Sequence, residues 1–238
     1  MTSIAHDIRD TRLDGYTVSA LVVTLLALPM VWSSGLIGQI VEPIFTEHSR
    51  RHWWYFWIAG VLVHWIPFAF VWLALQRNGE SWESIGVQWG WFRKRSVAIP
   101  LIVLVVGLVA GAFIAPLVYY GDTPPGMSRT IFIAPVSTVE RLAMIFIAIT
   151  AGVTEEVLFR GFAFTRLMRV ARNIWLVLPV TLISFIYLHG SPRDAQQFFT
   201  YLMAGLAFSI PFILMKFRRL EVLILIHFLI DAGMVIAP

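Results

Sequence analysis

The chain has 238 residues, 58% of them hydrophobic and only 13% charged, with a mean hydropathy of +0.78. A soluble domain carries about a quarter charged residues, so lipid rather than water is the solvent for most of this surface. The net charge of +4 does not point to nucleic acid, because Lys and Arg gather in loops between apolar segments, and the lack of cysteine excludes disulfides, thiolate ligands and a cysteine nucleophile.

In chain order, residues 1–16 mix Asp7, Asp10 and Asp14 with Arg9 and Arg12. No basic stretch runs straight into an apolar core, so these residues read as a cytoplasmic N-terminal segment rather than a cleaved signal peptide. A bilayer crossing needs roughly 20 mostly apolar residues. Seven candidates follow, at about 17–40, 53–75, 97–120, 139–168, 174–190, 199–215 and 221–237. The first three, with their loops, occupy 17–138, and the last four occupy 139–238. Pro179 and Pro211 are expected to bend two of the shorter ones. Gly121 to Gly126 reads as a turn-rich loop. The run Trp53-Trp54-Tyr55-Phe56-Trp57, and again Trp82, Trp89 and Trp91, read as interfacial belts.

The expected fold is therefore all-α, a polytopic transmembrane helix bundle of about seven spans, or eight with a further segment, around a polar intramembrane cavity. Of the 18 basic residues, only Arg50, Arg51, Arg129, Arg141 and Arg193 fall on one face, and the others fall on the alternate loops. This bias expects a cytoplasmic N-terminus in a cell inner membrane.

The fourth segment decides where its acids lie. Stopped at Arg160, it would leave Glu155 only ~7 Å from the cytoplasmic end and far in depth from His189. Gly161 to Thr165 stay apolar, however, and Arg166, Arg169 and Arg172 make a better stop. The helix is predicted to run to about 168, with Arg160 buried.

Three polar signatures interrupt these segments: Glu155-Glu156-Val157-Leu158-Phe159-Arg160, Phe185 to His189, and His227 to Asp231. Ionisable groups in a membrane are costly and usually functional. Glu155 and Glu156 point about 100° apart on a helix, so only one can aim at a given cavity. Glu156 and Arg160, four apart, share a face in the favourable acid-first order. Glu155 has Phe159 at that spacing instead, which leaves its carboxylate available as a general base. His189 ends its segment at Gly190-Ser191-Pro192. His227 and Asp231 are also four apart, and a carboxylate beside an imidazole fixes its tautomer. His64 has no such companion and reads as a core or interface histidine.

A carboxylate and two imidazoles can activate water in two ways. They can hold Zn²⁺ through Glu155, His189 and His227, or Glu155 and His189 can deprotonate water with no metal; these residues do not choose between the two. The His-Glu-x-x-His motif is absent, so Leu13-Asp14-Gly15, which imitates part of the site-2 protease signature, is a chance match. No Gly-x-Ser-x-Gly elbow occurs, and Asp231 is the only Asp well inside a span. Serine and paired-aspartate intramembrane proteolysis are thus unsupported.

Glu-Glu-x-x-x-Arg, Phe-x-x-x-His and His-x-x-x-Asn/Asp, in that order on successive segments, resemble the CPBP family. This is the CAAX-protease and bacteriocin-processing group, also called Abi, of intramembrane proteases. The likeness covers roughly 139–238, which reads as the catalytic core; the first three spans match only in being hydrophobic. It implies peptide-bond hydrolysis in which Glu155 and His189 activate water and His227 with its partner stabilises the oxyanion. Asp231 stands where many relatives carry Asn. Since an ionised Asp cannot donate a hydrogen bond, orienting His227 is its simpler role. Glu156 and Arg160 are assigned to holding the helix and pocket. The implied surroundings are membrane lipids and a peptide or membrane-tethered protein substrate, with no nucleic acid. Eukaryotic members trim the last three residues of prenylated proteins. Two competing readings are a non-catalytic immunity or scaffold protein, and a proton-coupled transporter relaying through Glu155, His189 and Asp231. The lack of an evident internal repeat argues against the transporter.

Overall fold

The computed structural model describes residues 13–37, 50–88, 90, 94–119 and 134–236. All regular structure among the described residues is helical, as a lipid-solvated backbone requires, since every N–H and C=O must then be satisfied internally. In order come α1 (Gly15–Ser33), α2 (Arg50–Arg77), α3 (Arg95–Tyr119) and α4 (Thr138–Ala171). They are followed by α5 (Ile174–Leu188), α6 (Ala195–Leu214) and α7 (Leu220–Ala232), with 3₁₀ turns at Trp82–Ile85 and Gly233–Val235. Each of the seven predicted segments overlaps one of these helices. Among the described residues, α1, α4, α6 and the Trp53–Arg77 part of α2 are long and apolar enough to cross a membrane, while α5 and the 102–118 part of α3 are shorter. The Gly121–Gly126 loop, Trp89 and Trp91 lie outside the described residues.

Short polar residues start four of the helices. Asp14 accepts from the backbone N–H of Tyr16 (2.8 Å) and Thr17 (3.0 Å), so the apparent protease signature at Leu13-Asp14-Gly15 is an N-cap. Burial pushes the Asp14 carboxyl up, but hydrogen bonds from Thr17, Asn78 and Tyr16 outweigh this and hold it below the usual range. Asn173 caps α5 through Trp175 N–H, and Asp194 caps α6 through Gln197 N–H. At α4, Glu140 accepts from the N–H groups of Val136 and Ser137, while Ser137 Oγ accepts from Glu140 N–H, which makes a capping box.

The chain forms two compact units, each drawn from separate stretches. One takes the described parts of Met1–Leu36, Ile66–Val87 and Glu155–Leu220; the other takes those of Ile37–Trp65, Gln88–Thr154 and Glu221–Pro238. The first unit is built around α5, which packs on α1, on α6 and on the later part of α4. Two stretches here are π-helical, Val23–Ala27 in α1 and Glu156–Phe164 in α4, and they touch each other. Nearby hydroxyls bond backbone carbonyls in both: Ser184 Oγ donates to Leu25 C=O (2.9 Å), and Thr165 Oγ1 to Gly161 C=O (2.5 Å). At one end of the unit, Glu80 accepts from Arg169 (3.0 Å) and from the buried Arg166. Burial raises the Glu80 carboxyl, but the Arg166 charge and bonds with Ser84 and Arg169 more than offset this and hold it below the ordinary glutamate range.

The second unit encloses a core of Trp53, Leu108, Ala112, Met144, Ile147, Ala148 and Phe228. Trp53 is fully buried there, with Trp54 and Trp57 packed against that core, so this part of the expected belt is interior. Tyr55 and Ile58 are exposed. Helix α7 is held at three points. Glu221 near its start accepts from Gln88 N–H (3.1 Å). Arg141, expected among the loop cations, is fully buried and donates to Val235 C=O (2.6 Å) just past the helix end. Midway, Gly152 of α4 lies so close that an added Cβ would sit 3.0 Å from Ile224 O and Phe228 N.

Candidate active site

Helix α4 runs through Arg160 to Ala171, as the apolar Gly161–Thr165 stretch requires. All nine residues of Glu156–Phe164 are buried. Their winding is π rather than α, a rare geometry that widens the turn and often marks functional sites. Nothing in the sequence signals it.

Within the first unit, Glu156 and Arg160 form the expected pair, with Arg160 Nη1 donating to Glu156 Oε1 at 3.1 Å and both side chains sealed from solvent. Arg160 Nη2 donates to Gly205 C=O (3.2 Å) on α6. Its guanidinium also lies 4.2 Å from the centre of the Phe185 ring and 5.4 Å from that of Phe208. A planar cation can use both a carboxylate fork and aromatic faces at once, which lysine cannot. Gly205 permits this because an added Cβ would meet Leu182 Cδ2 at 2.7 Å and Phe185 Cδ1 at 3.2 Å, so α6 approaches α5 closely here. The result is a rigid brace behind Glu155.

Glu155 is 5% exposed, and its Oε2 lies 4.0 Å from His189 Nε2. Bond reach ends near 3.2 Å, so at this separation one water set beside the pair can hydrogen-bond to both. The other ring nitrogen, His189 Nδ1, lies 2.9 Å from Phe185 C=O. A carbonyl only accepts, so Nδ1 carries a proton, and Nε2 is the ring nitrogen that faces Glu155. Phe185 thus supplies the carbonyl that sets the tautomer, and its ring sits 4.7 Å from the imidazole. Tyr201 stacks on His189 with ring centres 4.8 Å apart and planes at 29°. The sequence reading missed Tyr201, whose only trace there is polar spacing with Gln197 at the start of an apolar helix.

In the second unit, His227 Nε2 and Asp231 Oδ2 are 3.5 Å apart on one face of α7. The His227 side chain is buried, whereas that of Asp231 is 32% exposed. The buried His64 donates from Nδ1 to Gly60 C=O (2.8 Å) within its own helix, as a core histidine does.

A cation in the first unit could take Glu155 and His189, one short of the three protein ligands that catalytic zinc keeps. Among the described residues, no group of three or more His, Asp and Glu side chains is arranged to hold a metal. The metalloprotease reading has no support from this donor set.

Residues 135–233 match the family model described as type II CAAX prenyl endopeptidase Rce1-like. The match takes in all three polar signatures and is consistent with the CPBP/CAAX protease family. Together with the long apolar helices, the match supports an integral membrane protein whose residues 135–233 are similar to a CAAX-protease-type domain. No curated protein and no solved structure matches the chain.

Proposed function

We propose that the protein is an integral membrane endopeptidase that hydrolyses peptide bonds of membrane-associated or hydrophobic substrates, with CAAX-type processing as the model. The observation that carries this reading is the Glu155–His189 pair: a buried carboxylate and a tautomer-set imidazole, from two helices, 4.0 Å apart. Glu155 takes a proton from water as the water oxygen attacks the scissile carbonyl. The tetrahedral oxyanion then collapses, the C–N bond breaks, and the proton held by Glu155 or His189 passes to the leaving amine. His189, an acceptor at Nε2, holds the attacking water in line.

His227 takes the oxyanion-stabilising role that the family resemblance gives it. With its Nε2 beside Asp231, donation to an oxyanion falls to Nδ1–H, so the working ring carries both protons and Asp231 orients it. Glu156 and Arg160 keep α4 in place and touch no reacting atom. The protein is assigned to a cell inner membrane with its N-terminus cytoplasmic, and its bundle to about seven spans.

The test is cleavage of a hydrophobic or membrane-tethered peptide by purified protein in lipid nanodiscs. Glu155→Ala is expected to abolish cleavage while leaving the thermal midpoint unchanged. Turnover retained in Glu155→Ala rejects the base assignment. A folded wild type that hydrolyses nothing favours the immunity or scaffold reading instead.

A further inference from the structure

His189 occupies a precarious place for a residue that must aim one ring nitrogen. It is the C-terminal cap of α5, followed at once by Gly190 in the left-handed region (φ 92°), and its side chain is 31% exposed. The Nδ1 bond to Phe185 C=O anchors one atom of the ring and leaves the imidazole able to pivot about that bond. Two aromatic rings limit the pivot. Phe185 is buried and held by Phe159 (5.7 Å, 85°) and by the Arg160 guanidinium, so its place is set by the core. Tyr201 is half-buried and set from elsewhere.

The Tyr201 anchor can be traced bond by bond. Gln197 Nε2 donates to Tyr201 Oη (3.0 Å), and Gln197 Oε1 accepts from Arg193 N–H (2.9 Å). Gln197 N–H in turn donates to the capping carboxylate of Asp194 (2.8 Å). The first turn of α6 therefore holds the phenol ring flat against the imidazole.

We propose that Tyr201 is a positioning residue for His189, and that its ring, tethered through Gln197, fixes the plane in which Nε2 faces Glu155. A fixed aromatic face favours one plane of the ring stacked on it and so narrows the pivot. The kinetic part of this inference rests on the hydrolase reading, whereas the orientation of His189 does not.

Three variants and one spectroscopic measurement test it. Tyr201→Leu is expected to lower kcat roughly a hundredfold with KM unchanged, as a small misplacement of a catalytic group does. Tyr201→Phe keeps the ring and loses only the Gln197 tether, so kcat should stay within about fivefold of wild type. ¹⁵N-histidine NMR in nanodiscs, with His189 assigned through His189→Gln, should show a single Nδ1–H tautomer and ring-current-shifted imidazole protons in the wild type. In Tyr201→Leu the ring-current shift should be lost and the His189 ring resonances should broaden or split as the imidazole samples several planes, while the Nδ1–H tautomer, set by Phe185 C=O, stays. If the wild type cleaves no peptide, the hydrolase reading fails and the NMR comparison still decides the role of Tyr201. If Tyr201→Leu does not fold, the wild-type ring-current shift and Tyr201→Phe decide it. An unshifted wild-type ring, a Tyr201→Leu protein with one sharp set of His189 ring resonances and wild-type kcat, or a Tyr201→Phe protein with kcat a hundredfold down would each overturn the proposal.

Discussion

Glu155 and His189 come from different helices and meet only because α5 packs on the later part of α4, whereas His227 and Asp231 are one turn apart on the same helix. The second pair is dictated by helical periodicity and forms wherever α7 forms. The first is a tertiary contact, and around it stand the costly features of its unit: π winding, a buried ion pair and a ring clamp. In the proposed mechanism, long-range geometry is thus concentrated where an attacking water would be aimed, and local geometry suffices where an imidazole would only need orienting. Substitutions should affect the two pairs very differently.

The largest difference is expected at the imidazoles themselves. His189→Gln should lower kcat by about 10²–10⁴, the range of a general acid–base group, in the nanodisc cleavage assay. A loss below tenfold there would remove His189 from the chemistry. Arg160→Met comes next, read as stability. It leaves the buried Glu156 without its guanidinium, and breaking such a pair costs about 3–5 kcal/mol; the double variant Glu156→Gln/Arg160→Met should regain much of this in thermal melts. Equal melting of single and double variants would show that the brace carries no such coupling.

Asp231→Asn should be milder, roughly tenfold in kcat, because Asn still offers His227 an acceptor oxygen and loses only charge. A loss as large as that of His189→Gln would make Asp231 more than an orienting group. The smallest effect is expected at Glu80, which bonds to Arg166 and Arg169 near the end of α4 and to neither pair. Its folded carboxyl lies below the unfolded value, so its contribution is complete above the ordinary glutamate range and is lost as pH falls through the folded value. The wild-type thermal midpoint should therefore drop below about pH 4, and Glu80→Gln should flatten that drop while leaving cleavage near pH 7 unchanged.

Much of this was legible in the chain. Apolar residues continuing past Arg160 predicted the long α4, and the four-residue spacing predicted the Glu156–Arg160 and His227–Asp231 pairs, because each is a statement about one helix. The capping box at Ser137 and Glu140 was there to be read as Ser-x-x-Glu before an apolar run. Partners far apart in the chain were not legible. Nothing in the sequence links Arg166 with Glu80, Arg141 with Val235 C=O, or Tyr201 with His189, since each depends on which helices touch. Trp53 misled for a related reason. An aromatic run at a span end has the composition of an interfacial belt, and only packing shows which ring of it turns inward.

The wide winding at Glu156–Phe164 has one further consequence. Wherever a helix takes more residues per turn, the side chains before it and those after it follow different angular registers. Deleting a single residue there would let the coil tighten and would reset the angle between the side chains before it and those after it. Such a shortened chain would keep its hydropathy, and Arg166 could still reach Glu80 while Glu155 turned off His189. This stretch should therefore tolerate exchanges of one apolar residue for another far better than any change in its length.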